Sequence, residues 1–77
     1  MNKTKPTRKV VIVKSSSWSA GLVFTTAGEY LHIDRLCGHT AFTKLLVPGA
    51  IVLLEPNRYM ASLDMQLWTP IPMEEQQ

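Results

Sequence analysis

Few residues in this sequence are suited to covalent or metal chemistry. Cys37 is the single cysteine, and His32 and His39 are the two histidines. A cysteine nucleophile requires a positioned base, and nothing around Cys37 apart from the nearby His39 resembles a catalytic arrangement. One thiol and two imidazoles also fall short of the ligand set of a structural zinc site. We therefore expect neither an enzyme nor a metal or cofactor site.

The acidic residues do not indicate acid–base catalysis either. Asp34, Glu29 and Glu55 stand near strand ends and turns, where such residues ordinarily sit. General acid–base chemistry needs a second titratable group held beside the first, and no spacing here provides one. Gly21 and Gly28 are isolated glycines rather than parts of a loop that could cradle a phosphate. The sequence therefore favours a binding protein.

Aromatic and basic side chains are the residues best suited to binding. Exposed aromatic rings stack on nucleobases, and lysine or arginine contacts phosphates. The candidate stacking residues are Trp18, Tyr30 and His32, and the candidate phosphate contacts are Lys9, Lys14, Lys44 and Arg58. Two alternatives stay open, because Trp18 can instead cover one end of a core and scattered basic residues often provide only solubility. Trp68 ends the last predicted strand and is expected to be structural.

Length and composition indicate one small domain. The chain has 77 residues, 45% of them hydrophobic, and a formal net charge of +2. Four of the first nine residues are basic, whereas Glu74 and Glu75 lie close to the other end. We expect a flexible basic arm at residues 1–8, the domain at residues 9–69 and a disordered tail at residues 70–77. A lone cysteine, with no secretory signal and no apolar run long enough to cross a membrane, favours a cytoplasmic protein.

The hydrophobic pattern predicts three β-strands in the first half of the chain. Residues 10–13 form a β-branched run, which favours extended structure, and residues 15–17 are expected to turn or to extend loosely. Residues 20–26 and 29–34 are predicted to form a hairpin around a turn at residues 27–28. In the third strand Tyr30, His32 and Asp34 alternate with apolar residues, so we expect these three side chains to face outward.

The second half is predicted to contain a longer connection and two more strands. Residues 35–47 are expected to be irregular, with a short helical turn near residues 41–46. Residues 50–54 form a fourth strand, which Pro56 should stop. Residues 59–68 are interpreted as a fifth strand, although their composition would equally suit a short helix, and Pro70 should end regular structure.

Five short strands in about 60 residues suggest that the sheet closes on itself, because closure removes the exposed edges of a small sheet. The partly open Greek-key barrel of the oligonucleotide-binding (OB) type achieves this at such a size. We therefore predict an all-β fold, a small five-stranded Greek-key barrel of the OB type.

From residue 9 to about residue 67 the sequence resembles the bacterial cold-shock domain. The similarity lies in the order and spacing of four segments, which are Lys9-Val10, residues 20–24, Tyr30-Leu31-His32-Ile33 and residues 49–55. The resemblance implies an OB-type barrel that binds single-stranded RNA or DNA on exposed aromatic residues of its first three strands. Translation initiation factor one and related RNA-binding modules share this fold and a similar fourth strand.

The departures from the cold-shock family fall on its stacking surface. The first strand has no aromatic residue, and Ala20 and Leu22 occupy positions where the family has phenylalanine. Tyr30 and His32 remain, with Trp18 available beside them. Binding of single-stranded RNA or DNA is therefore the leading functional hypothesis, with regulation as one purpose it could serve, and we expect the binding to be weak.

A protein-interaction module on the same fold is the alternative hypothesis. The first and fourth predicted strands are apolar on both faces, so some aliphatic side chains must point away from the core. The outward apolar residues are expected to be Leu22, Phe24, Ile51 and Leu53. Such a surface would suit a homodimer, or a small regulator of a larger protein of the kind found in phages and mobile elements. No membrane partner is expected.

Overall fold

The structure, a computed structural model, describes residues 7–72, so the expectations for residues 1–6 and 73–77 lie outside the described part. It contains five strands and one α-helix, together with short 3-10 turns at Arg35–Cys37 and Ala61–Leu63. The strands are β1 (Lys9–Ser17), β2 (Leu22–Thr25), β3 (Tyr30–Ile33), β4 (Ile51–Met60) and β5 (Met65–Ile71), and the helix α1 spans His39–Leu45.

The five strands form a closed barrel in the order β1-β2-β3-β5-β4, with β4 returning to β1. Neighbouring strands are antiparallel except β3 and β5, which are parallel. The connection from β3 to β4 carries α1 across one end of the barrel. The predicted all-β, five-stranded OB-type barrel is confirmed.

The core forms because alternate residues of each strand point into the barrel. The cluster of buried residues consists of Val11, Val13, Val23, Ile33, Phe42, Leu46, Val52, Leu54 and Trp68. Burial of an aliphatic or aromatic side chain of this kind stabilises the fold by about 1.5–3 kcal/mol. Helix α1 contributes Phe42, and Leu46 directly follows the helix, so the helix closes the end of the barrel with apolar side chains. The expected structural role of Trp68 is consistent with its place in this cluster.

Strand β1 is longer than the sequence predicts. The serines at residues 15–17 were expected to form a turn or a loose extension, and they are instead paired with Leu22, Val23 and Phe24 of β2. The register between β1 and β2 shifts between Val13 and Ser15, which is the signature of a β-bulge. The bulge bends the strand, so polar serines continue a ladder that hydrophobic periodicity alone would end.

Strand β4 also continues beyond the predicted stop at Pro56. Pro56 pairs with Trp68 of β5, and the register then shifts before Tyr59. Proline lacks a backbone N–H and is tolerated where a ladder is irregular. The prediction that Pro56 ends the strand was wrong for this reason. Pro70 similarly lies inside β5, opposite Leu54, so it does not end regular structure as the sequence predicted.

The segment predicted as the fifth strand, residues 59–68, contains a chain reversal. It includes the end of β4, the 3-10 turn at Ala61–Leu63 and the first half of β5. Asp64 adopts the left-handed conformation at φ 49°, and the Tyr59 hydroxyl donates a hydrogen bond to its carboxylate. An apparent alternation of apolar and polar residues therefore concealed the tip of the β4–β5 hairpin.

Candidate functional site

A groove runs along the outside of β3, between the β2–β3 hairpin and the β4–β5 hairpin. Strands β3 and β5 pair at His32–Leu67 and Ile33–Trp68, and no register partners follow toward Tyr30. Two adjoining cavities of about 350 and about 540 Å³ occupy the resulting depression. We call it the β3 groove; Tyr30 and Leu63 lie at one end, His32 and Met65 in the middle, and Arg35 and Arg58 at the other end.

The first end of the groove presents an aromatic surface. Tyr30 is 72% exposed, and its ring packs against Phe24 with the centroids 4.6 Å apart and the planes tilted by 58°. These two residues are register partners in the β2–β3 hairpin, so the backbone brings the rings together. Tyr30 is therefore supported by its contact with Phe24 while most of the side chain remains open to solvent. Such a ring can stack on a planar ligand.

The middle of the groove is less polar. His32 is half-buried and lies between its register partners, Leu22 on β2 and Leu67 on β5. His32 and Met65 line both cavities. The prediction that Tyr30 and His32 share one outer face of β3 thus agrees with their common position in this groove.

Asp34 departs from the expected alternation. It was predicted to face outward with Tyr30 and His32, but it is 3% exposed. Its carboxylate accepts hydrogen bonds from the backbone N–H of Leu36 at 3.0 Å and from Asn57 Nδ2 at 3.1 Å. Asp34 therefore caps the first 3-10 turn and ties it to β4. Because Asp34 caps this turn, its side chain is buried and does not follow the period-two alternation of the strand.

Two arginines occupy the second end of the groove. Arg58 donates from Nε to Asp34 Oδ2 at 3.3 Å, and Arg35 donates from Nη1 to the backbone carbonyls of Trp18 and Ser19 at 3.2 and 3.1 Å. Arg58 was among the predicted phosphate contacts. Arg35 was missed because it stands in a segment interpreted only as an irregular connection; its position directly after the third strand was the available signal.

The other predicted basic contacts do not line the β3 groove. Lys9 forms an ion pair with Glu29 at 3.0 Å and lies over the ring of Trp68. Lys14 is exposed on β1, and Lys44 is exposed in the last turn of α1. The expectation that these three lysines converge with Arg58 is therefore not met in the described residues.

Trp18 lies beside α1, away from Tyr30. Its ring makes edge-on contacts with Phe42 and His39, at centroid distances of 5.2 and 5.0 Å. It is half-buried and packs against the core cluster. This placement corresponds to the alternative in which Trp18 covers one end of the barrel, and its backbone carbonyl helps to hold Arg35.

The predicted aliphatic surface divides into two parts. Leu22 and Phe24 lie on β2 and are half-buried, whereas Ile51 and Leu53 lie on β4, with β1 between the two strands. Leu53 is 8% exposed, because it sits between its register partners Val10 and Ile71. The prediction that Leu53 is an exposed contact residue was therefore wrong. We call the remaining apolar surface the β1–β4 face; its exposed residues are Val10, Ile12 and Ile51.

The environment of Cys37 disfavours a reactive thiolate. Partial burial raises the pKa of the Cys37 thiol above its ordinary value, and the negative charge of Asp34 raises the pKa further. His39 packs against Trp18. Since the thiolate is the nucleophilic form, this arrangement keeps Cys37 in its unreactive form at neutral pH.

We expect iodoacetamide to alkylate Cys37 at pH 7 more slowly than it alkylates a free cysteine. The rate should continue to rise with pH beyond the ordinary thiol pKa of about 8.5 before it levels off, because the folded-state pKa of Cys37 is raised. Mass spectrometry of quenched samples measures this rate, and the urea-unfolded chain is the control. Rapid alkylation of the folded protein at pH 7 would contradict the assigned environment.

No group of three or more histidine, cysteine, aspartate or glutamate residues in the described chain is arranged to hold a metal ion. Across residues 7–72, no helix combines the length and apolar character required to cross a membrane. Comparisons with protein-family models, curated proteins and solved structures found no match to this chain.

Proposed function

We propose that this protein binds single-stranded RNA or DNA in the β3 groove. The observation that carries the proposal is the supported, exposed ring of Tyr30 at one end of a groove that has two guanidinium groups at the other end. A single strand offers unpaired base faces for stacking and a phosphate backbone for basic side chains. The groove runs along the outside of β3, and β3 is one of the two strands whose outer face accommodates oligonucleotides in OB-type barrels.

The composition of the groove predicts weak binding with little base specificity. One supported aromatic ring provides about 1–3 kcal/mol for each base stacked on it, with little dependence on the base. Each phosphate contact makes the affinity fall as salt increases. For a single strand, the slope of the logarithm of the association constant against the logarithm of the salt concentration is about −0.7 per contact. We therefore expect micromolar or weaker dissociation constants that rise with salt concentration.

The direct test is an amide NMR titration of labelled protein with short oligo-dT and oligo-U, first at low and then at physiological salt. Shifts concentrated on Tyr30, His32, Arg35 and Arg58, and reduced by salt, are the expected result. Lys44 on α1 serves as an internal reference, because it is basic but lies outside the groove. Absence of any shift at millimolar oligonucleotide would refute the proposal.

A protein-interaction role is the second candidate function, and the exposure of the β1–β4 face favours it. Ile12 and Ile51 face each other across β1 and β4, next to the Val10–Leu53 pair. Ile51 is 58% exposed. Contiguous aliphatic side chains of this kind gain free energy when another protein covers them, at about 25 cal/mol per Å².

If the β1–β4 face mediates self-association, sedimentation velocity at millimolar protein should detect dimers, and Ile51→Lys should return the protein to a monomer. Ile51 is a better test position than Leu53, because a lysine at buried Leu53 would also disturb the fold. Val47→Lys is the matched control, since Val47 is exposed on the loop after α1. A wild-type protein that stays monomeric at this concentration would rule out the homodimer.

A further inference from the structure

Arg35 is held so that one part of its guanidinium is occupied by the protein and another part remains available. Nη1 donates to the carbonyls of Trp18 and Ser19, and the guanidinium carbon lies 5.8 Å from the centroid of the Trp18 ring. In the described part of the chain, Nε and Nη2 of Arg35 have no hydrogen-bond partner. These two nitrogens can donate to a ligand in the β3 groove.

Gly21 lies directly beneath Arg35. It has φ +66°, and a Cβ atom built there would lie 3.6 Å from Nε of Arg35. This left-handed conformation favours glycine, and the distance shows that the arginine packs over the turn between β1 and β2 at ordinary contact range. The position of Arg35 is thus set by the two carbonyl acceptors, and the turn lies against it.

Arg58 is held in a similar manner from the opposite side of the groove. Its Nε donates to Asp34 Oδ2, and Asp34 is itself fixed by Leu36 and Asn57. Among the described residues, neither Nη1 nor Nη2 of Arg58 has a partner. The side chain is 60% exposed, so its two terminal nitrogens remain accessible while the buried carboxylate limits their movement.

The two arginines line the same cavity of about 350 Å³. Asp34 balances the charge of one guanidinium, and no acidic residue other than Asp34 lines this cavity. The local charge is therefore close to +1, which matches one phosphodiester group. Guanidinium groups bind phosphate oxygens through paired, charge-assisted hydrogen bonds. Free lysines on a flexible surface would lack this orientation.

From this geometry we infer that Arg35 and Arg58 form a phosphate subsite, which binds one backbone phosphate of the strand whose base stacks on Tyr30. The inference rests on the proposed function, because it identifies the bound phosphate as part of a nucleic acid. The chemistry of the subsite itself requires only a phosphate group. Its two possible sources, a strand backbone and free phosphate, can be separated by experiment.

The first experiment uses oligo-dT hexamers in which one linkage at a time is an uncharged methylphosphonate. Neutralising the linkage that occupies the subsite should weaken wild-type binding by about tenfold. The same modification should have little effect on Arg58→Gln or Arg35→Gln. Each variant should also reduce the salt slope by about 0.7. Lys44→Gln is the matched control, because it removes the same charge outside the groove.

Arg35→Lys and Arg58→Lys distinguish the loss of the phosphate contact from a folding defect. Each lysine retains the charge but lacks the forked donor geometry. We expect a native amide spectrum together with a reduced response to the neutral linkage. One result would exclude the phosphate subsite while the proposed function stands. In that result the hexamer binds the wild type, but at every linkage position the neutral linkage changes the affinity of the wild type and of the arginine variants equally.

The second experiment titrates inorganic phosphate against the wild-type protein at constant ionic strength, with chloride as the reference anion. The side-chain Nε–Hε signals of Arg35 and Arg58 should shift together, and that of Arg8 should not. Shifts with inorganic phosphate but no binding of any oligonucleotide would support the subsite, assign it to free phosphate and exclude the proposed function. Absence of both responses would overturn both proposals.

Discussion

Replacing Tyr30 by alanine is expected to weaken the binding of a short oligo-dT by about 5- to 150-fold. This range corresponds to the loss of about 1–3 kcal/mol of base stacking. Tyr30 is exposed and packs mainly against Phe24, so the substitution should cost little stability. Fluorescence anisotropy with a labelled hexamer at low salt measures the affinity, and the amide spectrum verifies that the barrel remains folded.

Tyr30→Phe separates stacking from hydrogen bonding. It retains the ring and removes only the hydroxyl, so its affinity should remain within about twofold of the wild type. Tyr59→Ala is a second control, because Tyr59 is also an exposed tyrosine but does not line the β3 groove. Equal affinities of the wild type and Tyr30→Ala would show that the Tyr30 ring does not contact the strand.

Replacing Phe42 by alanine is expected to lower the free energy of unfolding by about 3–5 kcal/mol. Phe42 is 1% exposed and belongs to the core cluster, and the ring of Trp18 packs against it. A small domain has a total stability of about 5–15 kcal/mol, so the variant should be partly unfolded or strongly sensitive to urea. Urea titration followed by far-ultraviolet circular dichroism measures this change.

Phe42→Leu and Lys44→Ala are the matched variants for this measurement. Leucine preserves most of the apolar volume, so its cost should be below about 1.5 kcal/mol. Lys44→Ala changes an exposed residue of the same helix and should alter stability by no more than about 0.5 kcal/mol. If Phe42→Ala were no less stable than Lys44→Ala, α1 would not contribute to the core in the way described above.

The two ends of the β3 groove depend on different parts of the barrel. The aromatic end is built within the β2–β3 hairpin, where Phe24 and Tyr30 are register partners. The arginine end depends on long-range contacts, because Arg35 reaches the carbonyl of Trp18 and Arg58 reaches buried Asp34. The arginine end of the groove therefore depends on more of the tertiary structure than the aromatic end does.

Local patterns were sufficient to predict the first four strands of the barrel. The β-branched run in β1, the glycine turn before β3 and the apolar run in β4 depend on backbone preferences and side-chain alternation. The exposed position of Tyr30 followed from the same alternation. These features could be predicted because each arises from residues that are close together in the sequence.

The ends of the strands could not be predicted in this way. Serines continue β1 beyond a bulge, and Pro56 and Pro70 are accommodated within β4 and β5. Whether a weak strand former joins a ladder depends on the partner strand that faces it, and that partner is distant in sequence. Asp64 likewise reverses the chain within an apparently alternating segment, in contact with Tyr59.

The sequence by itself determined the all-β class, the first four strands along the chain and the presence of an exposed aromatic residue on β3. Only the tertiary structure decided which charged and apolar residues share a surface. It brought Arg35 and Arg58, which are 23 positions apart in the sequence, into one cavity and separated them from Lys14 and Lys44. It also buried Leu53 and Asp34, although their strand positions suggested exposure. The physical reason is that alternation sets only the side of the sheet, whereas neighbouring strands and caps determine what covers each side chain.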